Sequence, residues 1–101
     1  MEVNSNKETI PVTHLCTHYQ TTVQFFESLE EFGLVRLVQA EDVPSVELDQ
    51  IRQVEKWIHL HYDLNINMEG LDAIGHLLEK MEYLQSELTR TKALLREFDQ
   101  I

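Results

Sequence analysis

Apart from Met1 and Val3, hydrophobic positions begin after residue 8, and from there their spacing switches between strand-like and helical periods. Thr9, Ile10, Pro11 and Val12 make a short extended stretch, which Pro11 confines to a sheet edge because it cannot donate to a ladder. Thr13 is placed to cap a short helix that carries Leu15 and Cys16 and ends at His18 or Tyr19. Thr21, followed three residues later by Gln24, fits a capping box and predicts a second helix from about Thr22. Val23, Phe26 and Leu29 share one face of it, Phe25 and Phe32 widen that face, and Gly33 supplies a left-handed stop. Two short helices joined this tightly form a helix-turn-helix.

Leu34, Val35, Leu37 and Val38 then have strand composition, and Ala40, Glu41 and Asp42 break it. Val43, Pro44 and Val46 predict a weaker returning strand, which Pro44 places at an edge, so the pair reads as a small wing. Over 48–60, Ile51, Val54 and Ile58, with Trp57 and His61 alongside, give a broad helical stripe that Asp49 suits at its start. The pattern breaks over 63–67, and Asn67 is set to cap a last helix over 68–98, a rod about 45 Å long. Leu71, Ile74 and Leu78 are expected to pack on the compact part. Further along, Leu77, Met81, Leu84, Leu88, Thr91, Leu95 and Phe98 alternate spacings of four and three, as a coiled-coil seam does. A lone helix would expose that seam. A homodimer through Leu77, Met81, Leu84, Leu88, Leu95 and Phe98 is therefore expected, with Thr91 weakening its end and strand direction left open.

The fold class expected is mainly α: a small winged helix-turn-helix domain followed by a long C-terminal coiled-coil helix. Its parts are a flexible start over 1–8, the winged core over 9–66, the packing and dimerisation helix over 67–98 and a frayed end over 99–101.

Charge changes the functional picture. The 101 residues carry a formal net charge of −10. Across residues 14–51 Arg36 is the only strong base, and the segment 22–31, where a DNA reader would contact the duplex, has none. Nucleic-acid readers need Lys and Arg to displace counterions along the phosphates. The acidic excess disfavours nucleic acid and membrane surfaces and favours encounter with a basic protein patch. Glu27, Glu30 and Glu31 on the second helix, with Glu41 and Asp42 in the wing, are the candidate partner contacts. Leu29, Phe32 and Trp57 are large enough to anchor a partner, yet their place on apolar helical faces suits the core better. Arg52 and Lys56 form an i,i+4 basic pair, and Arg90, Lys92 and Arg96 mark the tail.

Catalytic and metal chemistry finds little to build on. His14 and His18 share a helical face, but Cys16 between them points elsewhere, and His59 and His61 diverge if helical, so no converging ligand shell is implied. The glycines Gly33, Gly70 and Gly75 are dispersed and form no phosphate-cradling loop. No enzyme activity and no cofactor are expected. With Cys16 the sole cysteine, no intramolecular disulfide forms, and neither a signal-peptide core nor a bilayer-length apolar run is evident. A cytoplasmic protein with no membrane role fits these features.

Taken in order, the short helix around His14, Leu15, Cys16, Thr17 and His18, the exit through Phe32, Gly33, Leu34 and Val35, the run from Ile58 through His61, Tyr62, Asp63 and Leu64 to Asn67, the Gly70, Leu71 helix opening and the amphipathic rod resemble the chaperone modulator CbpM family, a branch of the MerR-like winged-helix group. The resemblance spans about residues 12–98. It implies a non-catalytic modulator that binds the J-domain of a CbpA/DnaJ-type cochaperone and inhibits it by competing with the DnaK-type chaperone. It also implies suppression of that partner's own DNA binding. J-domains typically present a basic surface to their chaperone, which an acidic binder could mimic. The alternatives are a MerR-like DNA-binding transcriptional regulator, whose dimer would space Arg36, Arg52 and Lys56 around two wings, and a structural coiled-coil adaptor.

Overall fold

The structure is a computed structural model and describes residues 8–99. Its elements are β1 (Thr9–Pro11), α1 (Val12–Tyr19), α2 (Val23–Glu31), β2 (Leu37–Ala40), β3 (Val43–Glu47), a 3-10 turn (Leu48–Gln50), α3 (Ile51–Ile58), a π-helical turn (His59–Asp63) and α4 (Met68–Asp99). It is mainly helical, with a helix-turn-helix and a small sheet ahead of one long helix. The expected flexible start and frayed end fall, apart from Glu8 and Asp99, outside the described residues.

The two short helices start differently from the expectation. No side chain caps α1, whose N-cap is Pro11 rather than Thr13. Thr22, not Thr21, caps α2 by accepting from the Phe25 N–H at 3.1 Å. Thr21 Oγ1 is instead hydrogen-bonded to Tyr62 Oη at 2.6 Å, tying the turn to the π-helical turn that follows α3. The turn itself hinges on Gln20, left-handed at φ 57°. Gly33, at φ +75°, ends α2 as expected, and the chain closes on itself through Leu34 N–H to the Leu29 carbonyl at 2.8 Å. That closure delays the strand, so β2 begins at Leu37 rather than Leu34.

The sheet order is β1-β3-β2, all antiparallel. The returning strand β3 is thus central, which corrects the edge placement drawn from Pro44. Pro44 is tolerated because the β1 ladder ends at Pro11↔Ser45, leaving β3 paired at Pro44 with β2 alone, opposite Gln39. Glu41 and Asp42, at φ 52° and 66°, form the two-residue connection, as a type I′ hairpin requires.

The core joins the sheet to all four helices. Val12, Leu15, Phe25, Phe26, Leu29, Val35, Val46, Val54, Trp57 and Leu71 are buried. Leu29 and Trp57 therefore belong to the core, and the Trp57 Nε1–H donates to the Leu34 carbonyl at 3.1 Å. The apolar stripe over 48–60 is not one helix. It opens as a 3-10 turn and closes as a π-helical turn, where the His61 Nδ1–H donates to the Ile66 carbonyl at 2.8 Å. Asn67 caps α4 as expected, its side chain accepting from the Gly70 N–H at 2.8 Å. Leu71 is fully buried and Ile74 packs on the core, so the first turns of α4 belong to the compact part. Beyond them the helix carries exposed apolar side chains to Asp99.

Candidate functional site

In a winged helix-turn-helix the second helix and the wing face the ligand together. Here α2 buries Phe25, Phe26 and Leu29 and turns Gln24, Glu27, Glu30 and Glu31 to solvent. The inward side is apolar because those residues recur at helical spacing, and the same spacing gathers the acids outside. Among the described residues Glu27, Glu30 and Glu31 make no ion pair with a base.

The one base between the helix-turn-helix and α3 is engaged. Arg36 Nη2 donates to Glu47 Oε1 at 3.2 Å, and Glu47 is largely buried at the end of β3. The Arg36 backbone is held as well, its N–H donating to Gln50 Oε1 at 3.0 Å while its carbonyl accepts from Gln50 Nε2 at 3.3 Å. The depression beside Arg36 is also bordered by Glu30, Asp49 and Glu79. The Arg36 side chain remains 70% exposed, and the carboxylates around it reduce the net positive field it offers a phosphate.

Of the five candidate acids, the structure brings Glu27 and Glu30 into one groove between α2 and the wing, about 150 Å³ in volume. Val12, Val23, Phe26, Leu37, Gln39 and Pro44 complete its lining. Glu31 is exposed on α2 outside that lining, while Glu41 and Asp42 sit exposed at the hairpin tip. Reading the sequence missed Leu37, Gln39 and Pro44 as site residues. The two-residue period of β2, which puts Leu37 and Gln39 on the same side, is the signal that could have found the first two.

The expected seam residues share one condition. Leu77, Met81, Leu84, Leu88, Leu95 and Phe98 are all more than half exposed, Phe98 reaching 70%. Phe32, a candidate anchor, is half-buried and lines a cleft of about 140 Å³ with Trp57, Gly75 and His76. Lys56 lies 5.4 Å from the Trp57 ring centroid, so its charge is spent partly on that ring.

The histidines do not converge. His59 Nδ1–H donates to Asp63 at 2.7 Å, His61 packs on Phe25, and His76 Nδ1–H donates to the Asp72 carbonyl at 2.9 Å. Cys16 packs against the core, and burial pushes its thiol pKa up, away from thiolate reactivity. Among the described residues no group of three or more His, Cys, Asp or Glu side chains could hold a metal ion. Among them, too, no helix is long and apolar enough to cross a membrane.

A profile of MerR HTH family regulatory proteins matches residues 10–93, from β1 to near the end of α4. The chain belongs to this family. As a MerR-family regulatory protein it is non-catalytic, and its α1–α2 pair with the β2–β3 wing is the family's helix-turn-helix unit. No curated protein and no solved structure matches it significantly. In this chain the exposed face of α2 is acidic, carrying Glu27, Glu30 and Glu31.

Proposed function

We propose that this MerR-family protein is a modulator that binds protein through its helix-turn-helix and wing, and that its partner is the basic J-domain of a CbpA/DnaJ-type cochaperone, as the CbpM resemblance implies. Bound there, it would compete with the DnaK-type chaperone for the same basic surface. The observation that carries this reading is the exposed face of α2, which holds Glu27, Glu30 and Glu31 and no base, beside an Arg36 already paired with Glu47. Two such chains would join through the exposed side of α4, presenting two acidic faces. The setting expected is the cytoplasm.

The second reading is a DNA-binding transcriptional regulator, and the family match favours it. It requires bases where phosphates would lie, and in this chain Arg52 and Lys56 on α3 would have to supply them. One titration separates the two. The protein is added to a purified cognate J-domain and, at the same salt, to generic duplex DNA. Saturable J-domain binding that weakens as salt rises, with little DNA association, supports the modulator. Preferential DNA binding puts the regulator first.

A further inference from the structure

The groove between α2 and the wing has the chemistry of a socket. Its deep residues, Val12 and Phe26, are 3% and 0% exposed, Leu37 and Pro44 wall it, and Glu27 and Glu30 stand over it. At about 150 Å³ it holds one benzene-sized apolar group. Glu27 and Glu30 lie one helical turn apart, so their Cβ atoms are about 5–6 Å from each other. No base lines the groove. An occupant must therefore offer an apolar side chain to the floor and positive charge to the rim.

We propose that this groove seats one aliphatic side chain of a basic amphipathic helix, whose flanking Lys or Arg residues, a turn to either side, meet Glu27 and Glu30. The inference rests on the protein-binding reading and assigns its contact point. A second copy is disfavoured by its net charge of −10, and its one locally basic apolar stretch, residues 90–96, lies on the helix expected to pair in the dimer. Phosphate is excluded by the same sign. A partner helix suits both requirements because residues three and four apart share one of its faces.

The test uses the full chain and two probes. The first is the cognate J-domain, titrated against the unmodified protein, Glu27→Gln/Glu30→Gln, and Glu79→Gln/Glu82→Gln on α4 as the control for net charge. The second is a synthetic helical peptide with one leucine flanked by lysines at i−3 and i+4, followed by amide shifts of the labelled protein. Both glutamates of the test pair are exposed, and circular dichroism checks that each variant is folded. The expected result is at least about tenfold weaker J-domain binding for the α2 pair and less than about twofold for the control, with peptide-induced shifts centred on Val23, Glu27 and Leu37. Unchanged J-domain affinity in the α2 pair, or peptide shifts absent or centred elsewhere, overturns the groove. A J-domain that fails to bind the unmodified protein, while the peptide still maps to the groove, overturns the J-domain reading and leaves the groove standing.

Discussion

The two halves of α4 carry similar apolar repeats to opposite ends. Near its start Leu71 is fully buried and Ile74 packs on the core; further along Leu84 and Leu88 are 63% and 54% exposed. Both halves are amphipathic helix, and what differs is the presence of a facing surface. Trp57 and Leu34 come up against Gly75, whose missing side chain lets the helix lie close, a Cβ there standing 3.0 Å from Leu34 Cδ2 and 3.5 Å from Trp57 Cη2. Past Leu78 the chain provides no such surface among the described residues. Helical periodicity thus says which side of a helix is sticky, and the rest of the molecule says whether that side is already satisfied.

The largest effect expected falls on the docked half. Leu71→Ala removes a fully buried side chain and should cost about 2–5 kcal/mol by chemical denaturation, whereas Leu88→Ala should cost the folded core less than about 0.5 kcal/mol when measured in dilute monomer. Equal losses would erase the distinction between the halves. Next, Leu84→Gln with Leu88→Gln should weaken self-association by about tenfold or more in light scattering over a concentration series, leaving the circular dichroism of the core unchanged. A persistent monomer in the unmodified protein would end the expected helix pairing.

Close approach at Gly75 gives a graded test. Gly75→Val forces a branched side chain toward Trp57 and should cost about 1–3 kcal/mol. Gly75→Ala asks only the flexible end of Leu34 to give way, and helix propensity offsets the pressure by up to about 1 kcal/mol, so its net effect should be small. Similar losses from both would mean the backbone itself lacks room.

The smallest effect concerns the clasp between α1 and α3. Tyr19 Oη donates to Glu55 Oε2 at 2.6 Å. Burial, then that hydrogen bond and the carboxylate charge, push the Tyr19 pKa from 10.0 up to about 12. The folded state therefore holds this proton longer than the unfolded chain does. The clasp's contribution is complete below pH 10.0 and is lost as pH rises toward about 12. Tyr19→Phe should flatten that alkaline slope in thermal melts; an unchanged slope would remove Tyr19 as its source.

Much of this was legible from residue order. The helix-turn-helix, the Gly33 stop, the Asn67 cap and the long last helix follow from spacing and capping chemistry, which act over a few residues. The exposed Glu27, Glu30 and Glu31 follow likewise from the apolar face opposite them. The errors share a cause. Pro44 lacks an N–H and so suggests an edge, but whether that matters depends on how far β1 runs along β3. Thr21 fits the local pattern of a cap, yet Tyr62, 41 positions away, takes its hydroxyl.

Local order was enough to define the helices, their apolar sides and the acidic sign of the face that a DNA reader would keep basic, because these depend on neighbours within a turn or two. Long-range packing was needed to make β3 central, to pair Arg36 with Glu47 and to bring Leu37 and Pro44 beside Glu27 and Glu30. Strand order and groove shape arise from contacts between residues far apart in the chain, where spacing carries no distance information. Periodicity can therefore set the charge and stickiness of each surface, while only three-dimensional packing says which surfaces meet.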